Sequence, residues 1–492
     1  MKRYQMYIDN QSVDAAGGRW FESHNPFTGE TWAEIPRGSA ADVDRAVQAA
    51  HAAMIRGAWA EMSATQRGEL LRRMGDLVAR DARALAETEV RDNGKLFAEM
   101  FGQLSYIPQW YYYFGGLADK IEGSVLPMDK KGYFAFTRRE PIGVVAAITP
   151  WNSPLMLLSW KIAPALAAGC SVVIKPSEFT SASTLEFVKL FEEAGFPPGV
   201  VNVVTGFGTE VGSALVEHPL VSKITFTGSD ATGKRINEQA ARHLKHTSME
   251  LGGKSANVVF ADADLEQAVF GAISGIFAAT GQTCIAGSRL LVQDSIHDEF
   301  VDKLLAIART ARLGDPMDAG TQVGPVTTQQ QYQKVLDYID IARADGARLL
   351  LGGRAADAPG CGNGWFVEPT IYGDVQPQMR IAQEEVFGPV LAILRFKDEA
   401  EAVEIANGVR FGLAAAVWTR DIARALRMSE QLQAGTVWVN TYRAVSFMAP
   451  FGGYKDSGFG RENGAAAINE YLQTKSVWIN SGAVTGNPFV MR

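Results

Sequence analysis

The sequence predicts an α/β protein with two doubly wound parallel sheets and a small antiparallel flap. From Gly143 onward, short apolar runs alternate with longer stretches of helical spacing, a pattern typical of a parallel sheet with helices on its faces. A second series of the same kind follows Arg289. Two further strands, far apart along the chain, alternate between apolar and polar residues and fit neither series.

The chain begins with a helical region, which the first series of strands follows. Over residues 40–93, apolar side chains such as Val43, Ala46, Val47 and Ala50 recur with the period of a helix. Buried strands are then predicted at GVVAAI (143–148), SVVIK (171–175), VVNVV (200–204), KITF (223–226) and ANVVF (256–260).

The second series predicts a second α/β domain, and the two remaining strands predict the flap. The strands of this series are LLV after Arg289, then RLLLGG, FVEPTIY, GPVLAILRF, LAAAVWT and TVWVN. The flap strands are GYFAFTRRE (132–140) and TKSVWIN (474–480). Because an open sheet edge invites pairing with another chain, the flap predicts oligomerisation.

Composition excludes several classes of function. The 492 residues carry a net charge of −7 and no basic run, which argues against nucleic acid and anionic membranes as partners. No apolar stretch resembles a signal peptide or reaches the length of a membrane span. Three widely spaced cysteines form neither a disulfide framework nor a zinc motif. We therefore expect a cytoplasmic protein with free thiols and no metal site.

Cys284 is the cysteine whose setting suggests chemistry. It lies in TGQTCIAGSR (280–289), after an amphipathic helix predicted over 264–280, which Asp264 and Gln267 would cap and Gly281 would end. Functional groups often lie just beyond such rigid elements, but a small buried residue is an equally good interpretation. Cys170, between a helix and a buried strand, is interpreted as a core thiol. Cys361, in the glycine-rich APGCGNGW, is expected to be exposed and incidental.

A dinucleotide site is a natural expectation for such a sheet, but its usual glycine fingerprint is missing. The first strand is followed by TPWNSP, while GFGTEVG and GSDATG have the wrong spacing and are typical of tight turns. KPSE places Lys175 and Glu178 at the carboxyl end of the second strand, where doubly wound sheets bind ligands. A carboxylate there can accept ribose hydroxyls, although a solvated turn explains the same residues equally well.

Two residues could assist a nucleophilic thiol. Glu250, in MELGGKS, is a candidate base, and Asn152, in TPWNSP, can donate to a developing oxyanion. Taken singly, Glu250 is more typical of a surface carboxylate and Asn152 of a turn. Spacing alone does not bring these residues to Cys284.

Seven motifs in one order resemble those of the NAD(P)-dependent aldehyde dehydrogenase family, of the hydrolytic, non-acylating type. They are PWN, KPSE, FTGS, MELGGKS, GQTCIAGSR, EEVFGPV and PFGGYKDSGFGRE, from residue 150 to 462, with ADKIEG near residue 120. The resemblance implies two Rossmann-like domains: a NAD-binding domain of residues 1–118 and 142–252 and a catalytic domain of residues 253–455. Residues 119–141 and 456–492 would form oligomerisation strands and the C-terminal tail of a homodimer or homotetramer.

The resemblance implies a mechanism. Cys284 would attack the aldehyde carbon, and the oxyanion would lie between the Asn152 amide and the Cys284 N–H. Loss of hydride to the nicotinamide would leave a thioester, which water activated by Glu250 would hydrolyse. Because a free thiol is mostly neutral near pH 7, Glu250 or Lys161 would assist its deprotonation.

The resemblance also implies a cofactor site that prefers NAD, with NADP as a second acceptor, because Glu178 would repel a 2′-phosphate. Lys175 and Glu178 are assigned to the adenosine ribose, Gly228 and Ser229 to the pyrophosphate, and Glu385 with Phe387 to the nicotinamide riboside. The other implied cofactor residues are Thr149, Pro150, Trp151, Ser177, Gly208, Gly212, Phe226, Thr232, Leu251 and Gly252.

Three departures from the family pattern carry information. GSDATG replaces the common GSTEVG, so that Asp230 and Thr232 alter the helix that faces the pyrophosphate. Ser153 replaces a large side chain after PWN, which predicts a wide tunnel and a bulky apolar or aromatic aldehyde as substrate. The tunnel would be lined by Ser153, Leu157, Trp160, Thr283, Val445 and Phe451, with Tyr106 and Trp110 at its mouth. Gln473 occupies a position where a carboxylate is often seen, so no proton relay is expected there.

Two rival functions remain. In a CoA-acylating aldehyde dehydrogenase, CoA instead of water would release the thioester. A carboxylate at Glu250 would waste the acyl group there, so its presence favours hydrolysis. A catalytically silent scaffold of the same fold would be expected to lack the thiol, the base or the amide, all of which are present.

Overall fold

The computed structural model describes residues 1–358, 360–482, 487 and 489–490. Its strands are β1 (Lys2–Arg3), β2 (Met6–Ile8), β3 (Gln11–Val13), β4 (Trp20–His24), β5 (Thr31–Pro36), β6 (Val125–Leu126), β7 (Tyr133–Pro141), β8 (Val144–Ile148), β9 (Ser171–Lys175), β10 (Val201–Val203), β11 (Val221–Thr227), β12 (His246–Glu250), β13 (Ala256–Val259), β14 (Arg289–Gln293), β15 (Arg348–Leu351), β16 (Thr370–Gly373), β17 (Val390–Phe396), β18 (Phe411–Gly412), β19 (Ala414–Trp418), β20 (Thr436–Val439), β21 (Tyr454–Lys455), β22 (Gly458–Phe459) and β23 (Leu472–Asn480).

The α-helices are α1 (Ala40–Ile55), α2 (Ala58–Glu61), α3 (Ala64–Asn93), α4 (Phe97–Tyr106), α5 (Pro108–Leu117), α6 (Pro154–Ala168), α7 (Ala182–Phe187), α8 (Lys189–Ala194), α9 (Ser213–Glu217), α10 (Asp230–Ala241), α11 (Leu265–Phe277), α12 (His297–Ala308), α13 (Gln329–Ala344), α14 (Arg380–Gln383), α15 (Glu399–Asn407) and α16 (Ile422–Gln431). Short 3₁₀ segments lie at Ala118–Lys120, Ala278–Gly281, Asp294–Ile296 and Ala465–Tyr471, and a π turn lies at Gly208–Gly212. None of the described helices is both long and apolar enough to cross a membrane.

The first sheet has eight strands in the order β22-β12-β11-β8-β9-β10-β2-β3. Its five central strands are parallel, and alternate residues of β8 pack into different cores. Val145 and Ala147 join the core that contains α6, whereas Val144 and Ala146 join the core that contains α1. Helices therefore cover both faces, as the apolar runs predict.

The second sheet has seven strands in the order β15-β16-β17-β14-β13-β19-β20, parallel except for the antiparallel edge strand β15. The α/β prediction is thus confirmed, with one reassignment. ANVVF, placed above in the first series, forms β13 at the middle of the second sheet, between β14 and β19. The fifth parallel strand of the first sheet is instead β12, whose polar sequence HTSME gave no apolar signal.

The antiparallel flap is present. β7 and β23 pair along their whole lengths, from Tyr133 opposite Asn480 to Pro141 opposite Leu472, and β6 adds a third strand. Trp478 and Ile479 are exposed on this sheet. The domain boundaries remain predictions, and the pairing of β22 with β12 brings Gly458–Phe459, placed above with the flap, into the first sheet. The tail predicted to extend to residue 492 falls partly outside the described residues.

Two expectations about the cysteine segments were wrong. The helix before Cys284 ends at Phe277 instead of residue 280, because Ala279 and Thr280 adopt left-handed backbone angles, each with a φ of 55°. Asp264 caps its start by accepting from the Gln267 N–H at 3.2 Å. Cys361 is buried instead of exposed, while Cys170 is a core thiol as expected.

Candidate active site

The two sheets bring three sequence-predicted residues together. Glu250 is the last residue of β12, and Asn152 follows β8, which is separated from β12 only by β11. Cys284 comes from the second sheet's side, on the loop between α11 and β14. This loop packs closely against the segment after Glu250, since a Cβ on Gly253 would lie 2.4 Å from the Cys284 carbonyl oxygen. The carboxyl ends of parallel strands thus form the site.

Cys284 lies where two cavities meet. The first cavity, of about 130 Å³, is lined by Pro150, Trp151, Asn152, Leu157, Thr227, Gly228, Ser229, Leu251, Gly252, Cys284, Gln331, Lys334, Glu385 and Phe387. The second cavity, of about 520 Å³, also has Asn152, Leu157 and Cys284 in its wall. Cys284 therefore contributes to the walls of both spaces.

The second cavity coincides with the predicted tunnel. All six predicted lining residues and Tyr106 belong to its wall, together with Ala98, Glu99, Gly102, Gln103, Met156, Ala278, Ala279, Ile285 and Arg443. Trp110 is not at the mouth. It is fully buried, stacks on Trp160 at 5.8 Å between ring centroids and donates to Asn463 Oδ1 at 2.7 Å. Helical spacing in α5 turns this tryptophan into the core.

The surroundings raise the pKa of both the thiol and the candidate base. Burial raises the pKa of Cys284 to about 12, and the nearby carboxylates of Glu250 and Glu385 add to the shift. Burial also raises the pKa of Glu250 well above its usual range, with a contribution from the charge of Glu462 and an opposing one from Lys161. Neither oxygen of the Glu250 carboxylate has a hydrogen-bond partner among the described residues. Such a carboxylate is suited to taking up a proton.

Glu462 is a residue that sequence reasoning missed. Its carboxylate forms a buried ion pair with Lys161 of α6, and both lie close enough to Glu250 to affect its pKa. Gln473, the position considered for a relay, is exposed on β23. The sequence did contain a signal for Glu462, because this residue is the last one of PFGGYKDSGFGRE, the longest of the seven motifs.

The loop around Cys284 presents two hydrogen-bond donors. Asn152 is buried and donates through Nδ2 to the Gln282 carbonyl at 3.0 Å, which holds its amide against the loop. The Cys284 N–H donates to no backbone carbonyl among the residues that the structure describes. A carbonyl oxygen beside the sulfur could accept from both groups.

Comparison with known proteins identifies the family. Residues 13–477 match the model described as the aldehyde dehydrogenase family. The chain belongs to the aldehyde dehydrogenase family. It is 47% identical over 495 residues to (Z)-2-((N-methylformamido)methylene)-5-hydroxybutyrolactone dehydrogenase of Acinetobacter baylyi, covering 100% of each chain. It is also 47% identical over 482 residues to human retinal dehydrogenase 2, covering 97% of this chain and 92% of that one.

Solved structures agree with this assignment. Betaine aldehyde dehydrogenase of Staphylococcus aureus in complex with NAD⁺ superposes with a TM-score of 0.97 at 41% identity, over 99% of this chain and 96% of that one. The NAD⁺ complex of an aldehyde dehydrogenase from Bacillus cereus gives a TM-score of 0.95 at 44% identity, over 97% of each chain. The protein is therefore an enzyme of a family that oxidises aldehydes to acids with NAD, and its Rossmann-like α/β fold is confirmed.

In this aldehyde dehydrogenase, most of the predicted cofactor residues follow the edge of the first sheet, whereas Glu385 and Phe387 lie in the segment before β17 of the second sheet. Pro150, Trp151, Gly228, Ser229, Leu251, Gly252, Glu385 and Phe387 line the first cavity. The others lie outside that cavity, at the ends of β8, β9 and β11, in the Gly208–Gly212 turn and at the start of α10: Thr149, Lys175, Ser177, Glu178, Gly208, Gly212, Phe226 and Thr232. Thr227 was missed although it lies within the FTGS motif, and Gln331 and Lys334 were missed because no motif marks them.

The Glu385 segment is held in a strained, defined position. Phe387 has a φ of 58° and packs edge-on against Trp151 at 5.2 Å. Gln331 donates to the carbonyl oxygens of Val386 and Phe387 at 2.8 and 3.0 Å. Left-handed backbone at a bulky residue costs energy, so these bonds are what stabilise the loop over the first cavity.

Proposed function

We propose that this aldehyde dehydrogenase oxidises a bulky, apolar or aromatic aldehyde to the carboxylic acid, with Cys284 as nucleophile and Glu250 as the base for hydrolysis. The observation that carries the proposal is the position of the Cys284 thiol in the walls of both cavities. One cavity would hold the substrate and the other the electron acceptor, with the sulfur between them. Asn152, which lines both cavities, would orient the reacting carbonyl.

The residues at the edge of the first sheet fit NAD. Glu178, whose side chain is 27% exposed, and Glu385 can each accept ribose hydroxyls, and the N-terminus of α10 begins beside Gly228 to receive a pyrophosphate. A Cβ on Gly252 would lie 2.3 Å from Glu385 Oε2, so a side chain there would displace the Glu385 carboxylate. NAD, when bound, supplies the hydride acceptor. Glu178 would repel a 2′-phosphate, so we propose NAD in preference to NADP.

The first step is formation of the carbon–sulfur bond. Glu250, in its ionised form, takes the proton of the Cys284 thiol, and the sulfur attacks the aldehyde carbon in the second cavity. The carbonyl oxygen becomes an oxyanion, which accepts from Asn152 Nδ2 and the Cys284 N–H. Donors of this kind in a dry site typically contribute about 2.7–4 kcal/mol each to the transition state.

The last step is hydrolysis of the acyl group. After oxidation of the thiohemiacetal to a thioester, Glu250 releases the thiol proton to solvent and can act as a base again. It takes a proton from water, and the oxygen of that water attacks the acyl carbon. The carbon–sulfur bond then breaks, Glu250 returns a proton to the sulfur, and the carboxylic acid leaves. The Lys161–Glu462 pair lies beside Glu250 and tunes how readily it holds the proton. The same base argues against CoA as acyl acceptor.

The second cavity supports a bulky substrate. Its volume of about 520 Å³ and its apolar lining by Met156, Leu157, Trp160, Val445 and Phe451 lie in the range of ordinary ligand sites. The retinal dehydrogenases among the relatives are named for a bulky apolar aldehyde. Cytoplasmic location and a homodimeric or homotetrameric assembly remain predictions.

The test is NADH formation with a panel of aldehydes in three proteins. We expect benzaldehydes to give a higher kcat/KM than acetaldehyde in the wild type, and Cys284→Ala to lose turnover by more than a thousandfold while it still binds NAD. Cys361→Ala is the matched control, since this thiol lies in neither cavity. Retained turnover in Cys284→Ala would refute the mechanism, and a preference for acetaldehyde would refute the substrate class.

A further inference from the structure

The wall of the second cavity contains one arginine, Arg443, among largely apolar neighbours. Its Nη1 atom donates to the carbonyl oxygens of Ser274 and Ala278 at 3.1 and 2.9 Å. These carbonyls belong to the last turn of α11 and the residue after it, so the guanidinium is anchored on a rigid element. Its backbone is also fixed in the left-handed region, with a φ of 65°.

The other two nitrogens of the Arg443 guanidinium, Nε and Nη2, have hydrogen-bond donors that no described residue accepts. Nε and Nη2 of Arg443 make no hydrogen bond to a residue that the structure describes, and Arg443 forms no ion pair within that part of the chain. These two nitrogens lie on one side of a guanidinium and match the two oxygens of a carboxylate. Both nitrogens are accessible to solvent and therefore also to a ligand in the cavity.

Charged groups of both signs surround the cavity, but only Arg443 offers unused donors to it. Glu99 is the carboxylate whose charge acts on Arg443, and it is already engaged through Oε1, which accepts from the Ala279 N–H at 2.6 Å. Lys95 lies buried behind the wall, donates to Ser153 Oγ at 3.2 Å and has the carboxylates of Glu99 and Glu89 near it. Arg443 is therefore the basic residue of the described cavity wall, and its unused donors favour an anionic ligand.

We propose that Arg443 binds a carboxylate that the aldehyde substrate carries at the end remote from its aldehyde group. The substrate class is then an aldehyde acid with a bulky apolar body, such as an aromatic ring, spanning the cavity between Cys284 and Arg443. This inference rests on the proposed function, because it takes the second cavity as the substrate site. It assigns Arg443 to specificity and not to the chemical steps.

The experiment compares 4-carboxybenzaldehyde with 4-methylbenzaldehyde, which has nearly the same shape without the charge. In the wild type we expect kcat/KM to be about 10- to 100-fold higher for the carboxylate, the range of charge-assisted hydrogen bonds. Arg443→Met should bring this ratio to within threefold of one, mainly through KM. Arg443→Lys should give an intermediate ratio, because a point charge remains without the fork. Arg420→Met, an exposed arginine outside the cavity, should keep the wild-type ratio.

The outcomes separate this inference from the proposed function. Equal kcat/KM for the two aldehydes in the wild type would overturn the role of Arg443 and leave the oxidation of aromatic aldehydes standing. An equal loss for both aldehydes in Arg443→Met would also overturn it, because that is the result of merely holding the end of α11. Absence of NADH formation with either aldehyde would overturn the proposed function itself.

Discussion

Replacing Glu462 by Gln tests how the enzyme controls the proton on Glu250. In the wild type, the charge of Glu462 raises the pKa of Glu250, whereas that of Lys161 lowers it. The substitution removes the first charge and leaves Lys161 without its anionic partner. Both changes favour the ionised form of Glu250, so its pKa should fall. Gln keeps the size of the side chain and an acceptor for Lys161.

The expected size of the shift follows from the closeness of the three groups. Charges in direct reach of a buried carboxyl shift its pKa by about 1–3 units, and we expect a fall of about 1–2 units, equivalent to about 1.4–2.7 kcal/mol. Glu250 acts as a base only when it is deprotonated. Hydrolysis of the acyl-enzyme therefore rises as pH passes upward through the Glu250 pKa, and this rise should occur at a lower pH in Glu462→Gln.

The assay measures release of the acyl group directly. An activated ester such as 4-nitrophenyl acetate would acylate Cys284 without a cofactor, and the deacylation rate would be followed between pH 5 and 9. Glu470→Gln is the matched control, because Glu470 pairs with the buried Lys223 at 3.3 Å but does not contribute to the Glu250 shift. An unchanged or upward-shifted pH dependence in folded Glu462→Gln would refute the reasoning.

Three further predictions concern the cofactor edge and a buried acid. Glu178→Gln should lower the ratio of kcat/KM for NAD over NADP about tenfold, ~1.4 kcal/mol, and a constant ratio would contradict this role. Gly252→Ala should raise KM for NAD about tenfold at unchanged Tm, because its Cβ would displace Glu385 from the Gly253 N–H, which it accepts at 2.9 Å. Glu89 is buried and its pKa is raised from 4.5 to about 7, so its stabilising contribution is complete below pH 4.5 and is lost as pH rises through 7. Urea unfolding of Glu89→Gln should therefore depend less on pH, by about 1–3 kcal/mol between pH 4.5 and 8; a slope equal to that of the wild type would contradict it.

The sequence predicts those strands that are buried on both faces. β8 and β9 are largely apolar because helices cover both of their faces. Such runs indicate a parallel sheet even when the neighbouring strands are not known. β12 escaped prediction because its first residues are exposed and its last one, Glu250, is charged. The pattern of apolar runs also cannot show which sheet a strand joins, because strand pairing is a long-range property. This pattern placed β13 with the first series, whereas the domain boundary implied by the resemblance placed it in the catalytic domain.

The site residues likewise fall into those that the sequence suggests and those that only the folded structure reveals. Cys284, Glu250 and Asn152 have chemical types that suggest roles, but the resemblance to a family was needed to place them together. Gln331 and Lys334 were missed because they lie on the polar helix α13, where such residues are ordinary. Arg443 gave no signal either, because only the folded chain shows that its guanidinium enters the wall of a cavity.

Sequence patterns predict least well the residues that are unfavourable in their local surroundings, such as a buried charge or a left-handed backbone at a residue other than glycine. Glu250 ends a strand with a buried carboxylate that has no partner among the described residues, and Phe387 and Ala279 adopt left-handed backbone. Each choice lowers stability by about 1–3 kcal/mol, so packing alone would select against it. Burial raises the pKa of both Glu250 and Cys284, so two adjacent buried negative charges are disfavoured, and an ionised Glu250 is a better base than an exposed glutamate. The loss of folding stability at the site thus comes from groups that must exchange protons during turnover. Their burial is visible in the structure but not in the sequence.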